Sequence, residues 1–215
     1  MPSAAPLRMT PRHVQLLRAL FAAVAALMIT FSPDHSHEVG LAVLGGFGIA
    51  TAMVFALAAW LVAPAGHRGA PVLLGAVHLA AGMAASAVAL RSETLLFVVL
   101  IAWALLAGIV ELAIGITRRA RLGRSESRDA VVVGGLTILL GLVLIFVRPE
   151  YALTYSIEEA GAFTLTGTTI AVGLFGGYAA IVAVFLGIAG LSPAPSEPAS
   201  EDLETAAAAP QEDRP

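Results

Sequence analysis

The chain has 215 residues, 58% of them hydrophobic and only 13% charged, and its mean hydropathy is +0.87. Soluble domains carry about 25% charged residues, and a core built from this length of chain could not hide so much apolar surface. The formal net charge is −3 and cysteine is absent, which excludes a disulfide framework, a thiolate metal site, a cysteine nucleophile and a basic nucleic-acid-binding surface.

Six apolar segments follow in chain order, over residues 14–31, 39–62, 70–90, 94–117, 130–147 and 167–191. At about 1.5 Å of rise per residue, each covers most or all of a roughly 30 Å hydrocarbon core. Residues 1–13 are expected to form a cytoplasmic N-terminal segment. Arg8 and Arg12 before the first span resemble the start of a signal peptide. The uninterrupted apolar stretch of that span is about as long as, or longer than, a usual h-region, and Phe31-Ser32-Pro33 replaces a small-x-small cleavage site, so a retained helix is expected. After it comes Asp34-His35-Ser36-His37-Glu38, where His35 and His37 are weak metal-ligand candidates. Without a second ligand cluster, a solvated polar turn is the favoured reading.

All 12 basic residues are arginine, which with abundant Ala and Gly points to a GC-rich bacterial genome. Their placement gives an orientation. Arg8, Arg12, Arg18, Arg68, Arg118, Arg119, Arg121, Arg124 and Arg128 belong to one side, and Arg91 and Arg148 to the other. By the positive-inside rule both termini face the cytoplasm, in a bacterial inner membrane. The stretch 150–166 is read as a long loop, and Thr164, Thr166, Thr168 and Thr169 as residues that start the sixth helix. Residues 192–215 hold one Arg against six acids, a balance of −5, with five prolines and Ala206–Ala209. Such a segment has little to bury and is expected to be a disordered acidic tail.

The spans group into three hairpins, 14–62, 70–117 and 130–191. The even-numbered spans align without gaps at offsets of 56 and 75, which superposes Phe47, Trp103 and Tyr178. Five residues on come Ala52, Gly108 and Ala183; twelve on come Ala59, Gly115 and Gly190. These positions share a helix face, and small residues there let backbones approach in lipid. Ala42/Gly46 and Gly173/Gly177 are further small pairs. Phe31-Ser32-Pro33 matches Val147-Arg148-Pro149 at an offset of 116. The predicted fold is therefore an all-α polytopic membrane protein with six transmembrane helices in three repeated hairpins.

Residues 100–115 and 177–187, the Gly141-to-Pro149 ending of the fifth span and Leu17-Arg18-Ala19-Leu20-Phe21 in the first resemble the HdeD-like acid-resistance membrane proteins over about residues 12–191. The resemblance implies a non-enzymatic inner-membrane protein acting in acid or envelope stress. This chain departs from the family in its 150–166 stretch and acidic tail, and in carrying Phe55 and Leu186 where the middle hairpin has Glu111. A small-solute or ion transporter or channel is the alternative, to be separated by whether a polar cavity reaches the midplane.

Arg18, His78 and Glu111 are the ionisable side chains inside the six spans. Glu111 lies about 9 Å from the cytoplasmic end of its helix and His78 about 12 Å from the same side. They form a candidate proton-responsive pair, weighed against an interfacial Glu111 reaching toward Arg118 and a His78 bonded to a backbone carbonyl. No catalytic residue, cofactor, metal site or known small-molecule substrate is expected. The expected partner is the lipid bilayer, with homo-oligomerisation left open.

Overall fold

The computed structural model describes residues 9–118, 124–158 and 161–192. The segment before residue 9, Arg119, Arg121 and the acidic stretch after Ser192 lie outside the described residues. Six helices run α1 Pro11–Phe31, α2 His37–Leu57, α3 Gly69–Ser86, α4 Glu93–Thr117, α5 Arg124–Ile145 and α6 Gly167–Leu191. A π turn over Ala58–Val62 extends α2, and a 3₁₀ turn over Val88–Leu90 follows α3. All six helices are long and apolar enough to cross a membrane.

Their starts are written in the sequence. Pro11 opens α1, where a missing N–H costs nothing. The helices α2, α4 and α6 each begin on a hydroxyl: Ser36 Oγ accepts from Val39 N, Ser92 Oγ from Leu95 N and Thr166 Oγ1 from Thr169 N. Both faces of these helices are apolar. Leu20, Met53, Leu73, Leu106, Leu139 and Ile181, one from each helix, are at least half exposed. Water would not tolerate such a surface over a whole bundle, but lipid does. The chain is a multi-pass membrane protein.

The most extensive packing joins α4 to α5, α1 to α6 and α2 to α3. The expected hairpin partners α1/α2, α3/α4 and α5/α6 also touch, but over smaller contacts. Glycine accounts for the tighter set. A Cβ on Gly48 would meet the Gly82 Cα at 2.9 Å, and one on Gly134 would meet Leu112 N at 2.5 Å and Gly108 O at 2.9 Å. Backbones that close allow packing that side chains would otherwise hold apart. The ring closes where α6 meets α1: Gly190 lies against Leu16, and Arg12 donates from Nε to Gly190 O (3.2 Å) and from Nη2 to Ser192 O (2.6 Å).

Two expectations change. Ala42/Gly46 and Gly173/Gly177 do not mediate packing within the chain: all four are exposed, and a Cβ on Gly46, Gly173 or Gly177 would have nothing within 4 Å. The 150–166 stretch is not a loop but an antiparallel hairpin, β1 Ala152–Ile157 and β2 Gly161–Thr166, with Ala152 opposite Thr166 and Ile157 opposite Gly161. Gly161 takes φ +93°, the left-handed region at the hairpin turn. Thr164 thus lies in β2, its Oγ1 3.2 Å from Thr154 Oγ1, and not at the helix start. Thr166 is the cap itself, and Thr168 Oγ1 donates to Glu93 Oε1.

Candidate functional site

A cavity of about 470 Å³ opens at the end of the bundle where α1, α3 and α5 begin and α2, α4 and α6 finish. All six helices line it, through Arg18, Phe55, Leu74, Glu111, Asp129 and Leu186 among others. The π turn closing α2 contributes Ala58 and Val62 to the wall, a widened turn of the kind that recurs at functional sites.

The lining follows a numerical pattern. On or just before the odd helices Pro11, His67 and Glu126 line the cavity, as do Val14, Ala70 and Asp129, and Gln15, Pro71 and Ala130, each set at spacings of 56 and 59. On the even helices Phe55, Glu111 and Leu186 line it at spacings of 56 and 75. Eight residues before each of these three, about 12 Å deeper into the bundle, stand Phe47, Trp103 and Tyr178. Trp103 touches both others edge-on, with ring centroids 5.7 Å from Phe47 and 5.8 Å from Tyr178, and Phe175 joins the cluster. These T-shaped contacts form the aromatic centre of the molecule, beyond the cavity floor.

The charged pair on that floor differs from the expected one. Glu111 does not pair with His78. Arg18 Nη2 lies 2.7 Å from Glu111 Oε1 and 3.0 Å from Oε2. Glu111 therefore does not reach out toward Arg118 either. The physical reason is charge. A guanidinium is always ionised and needs a carboxylate inside a bilayer, whereas a neutral imidazole does not. Arg18 also lies over the Phe55 ring, its Cζ 4.8 Å from the centroid. His78 bonds within its own helix, Nδ1 lying 2.9 Å from Leu74 O, so Nδ1 carries the proton. Its ring sits among Phe55 (5.4 Å), Trp103 (5.8 Å) and Phe47 (6.4 Å).

Sequence reasoning placed Arg18 inside a span but read it only as an orientation signal. Depth was the missed clue: Arg18 is the eighth residue of α1 and Glu111 the seventh from the end of α4, both about 9–11 Å from the same end. Asp129 was missed because its helix starts earlier than the apolar run suggests. It is buried and accepts from Gln15 Nε2 at 2.6 Å, tying α5 to α1. Deeper, Thr137 Oγ1 donates to Val133 O (2.7 Å), so the Tyr178 hydroxyl 2.7 Å away must donate to it. Trp103 Nε1 and Thr51 Oγ1 are buried without a partner among the described residues.

His35 and His37 lie at the opposite end, His35 in the turn before α2 and His37 as its first residue. His37 Nε2 is 3.2 Å from Glu38 Oε1, and Asp34 accepts from Ser36 N and Oγ. Among the described residues no three His, Cys, Asp or Glu converge on a metal-sized site. No protein-family model matches the chain, and neither do curated proteins or solved structures.

Proposed function

We propose that this is a non-enzymatic multi-pass protein of the bacterial cytoplasmic membrane, of HdeD-like type, with both termini cytoplasmic and a role in acid or envelope stress. In this reading the cavity opens to the cytoplasm, and the Arg18–Glu111 pair on its floor is the responsive element. The pair carries the proposal: an ion pair inside an apolar bundle is costly and marks function more often than packing. Protonating Glu111 would discharge the carboxylate and leave a lone guanidinium on the floor.

The three-fold recurrence belongs to the same proposal. Three two-helix units, each contributing the same lining positions and one aromatic at the centre, account for the spacings of 56 and 59 on the odd helices. The larger spacing of 75 on the even helices is explained by the β-hairpin inserted in the third unit. The test is survival of acid challenge in cells carrying Glu111→Gln in place of the native chain. Survival falling at unchanged membrane abundance is the expected outcome; native-like survival removes Glu111 from the mechanism.

A small-solute transporter is the second reading, favoured by a cavity that reaches a charged pair inside the membrane. It requires the cluster of Phe47, Trp103, Phe175 and Tyr178 to part. Solute flux in proteoliposomes distinguishes the two.

A further inference from the structure

We infer that the cavity is a binding site for a small amphipathic organic carboxylate, its apolar body against the walls and its carboxylate on the Arg18 guanidinium. The volume, about 470 Å³, falls in the lower part of the range of roughly 300–1,000 Å³ typical of small-molecule sites. The walls are suited to an apolar body: Phe55, Ala58, Leu74, Ile114 and Leu186 offer no hydrogen bond from their side chains. The floor supplies the polar end.

Of the pair there, a ligand meets arginine first. The Arg18 side chain keeps 14% of its surface exposed and Glu111 only 5%. Both Glu111 oxygens converge on Nη2, and Nε and Nη1 have no partner among the described residues. Three of the five guanidinium N–H groups are therefore free, and a carboxylate is the acceptor that fits such a planar array. The wall carboxylates oppose this choice less than their number suggests: Asp129 is buried and bonded to Gln15, and Glu126 is accompanied on the lining by Arg118. Arg118 at the end of α4 and Arg128 in the first turns of α5 add positive charge at this end, which favours anions over cations on approach.

The inference rests on the cavity and not on the stress role, so it is tested on purified protein, where a failure leaves acid survival untouched. Radiolabelled hexanoate is measured on the full chain in phosphatidylcholine nanodiscs, with empty nanodiscs subtracted. Saturable binding is expected, displaced by unlabelled hexanoate but not by equal hexanol or hexylammonium. The double variant Arg18→Gln with Glu111→Gln keeps the floor neutral and should weaken binding about tenfold or more, as loss of a charge-assisted contact does. Ala70→Trp, at the mouth and away from the pair, should weaken it by obstruction. Displacement by hexylammonium as effective as by hexanoate would overturn the proposal in favour of a cation site. Affinity that keeps rising to dodecanoate would overturn it in favour of a lipid acyl chain. Unchanged hexanoate binding in a monodisperse double variant would overturn it outright.

Discussion

Arg18 and Glu111 hold each other in place, and the loss of one partner weighs differently on the other. Removing one partner of a buried pair leaves an uncompensated charge in a low dielectric, at a cost of about 3–5 kcal/mol. Arg18→Leu should incur that loss, because Glu111 is almost fully buried. Glu111→Leu should cost less, because Arg18 borders the cavity and can draw water to its free N–H groups. The double Leu variant should melt near or above the native protein, as apolar replacement of a buried pair often does. Thermal unfolding in detergent, followed by size-exclusion, reads all three; a double variant no more stable than Arg18→Leu would mean that the pair is not a unit. Which residues mattered was legible in the sequence, since the three ionisable groups within apolar spans all cluster near this floor. Who pairs with whom was not. Hairpin adjacency favoured His78, while the actual partner comes from α1, 93 positions away in the chain, and only a depth comparison across non-adjacent helices would have found it.

The helices themselves were written plainly: each expected span has its counterpart, and α6 spans the same residues, 167–191. Boundaries moved where polar residues extend a helix beyond its apolar run. The helix α5 begins at Arg124, so that Ser127 and Asp129 are helical and buried, Ser127 Oγ donating to Gly115 O at 2.7 Å. The β-hairpin had a signal that was passed over: Leu153-Thr154-Tyr155-Ser156-Ile157 and Phe163-Thr164-Leu165-Thr166 alternate with period two around Gly161. Glycine abundance hid a different distinction, between glycines that let backbones meet and glycines that face outward. Gly134 and Gly135 separate them within one helix. A Cβ on Gly134 would press on Leu112 N and Gly108 O, backbone atoms that cannot turn aside, while one on Gly135 meets nothing within 4 Å. Gly134→Ala should therefore destabilise the α4–α5 contact by about 1–3 kcal/mol. Gly135→Ala should be neutral or gain up to about 1 kcal/mol from helix propensity. Equal melting temperatures for the two variants would contradict the close backbone approach.

At the scale of the whole molecule, the arginine-bearing end holds the cavity and the opposite end carries the β-hairpin, so the orientation in the membrane decides which compartment the cavity faces. Charge argues for the cytoplasm: among the described residues Arg12, Arg18, Arg68, Arg118, Arg124 and Arg128 lie at the cavity end, and Arg91 and Arg148 at the other. The chain has no cysteine, so single-cysteine labelling has no background. Ala65, in the turn between α2 and α3, has no hydrogen-bonding side chain, and the exposed Ser156 hydroxyl on β1 has no partner among the described residues, so either can be replaced without disturbing a helix cap. In intact cells with a permeable outer barrier, a membrane-impermeant maleimide should label Ser156→Cys and spare Ala65→Cys until the membrane is broken. The reverse pattern would place the cavity on the outer side. The Arg18–Glu111 pair would then read external pH directly, and the acid-survival variant Glu111→Gln would have to be interpreted as the loss of an external sensor.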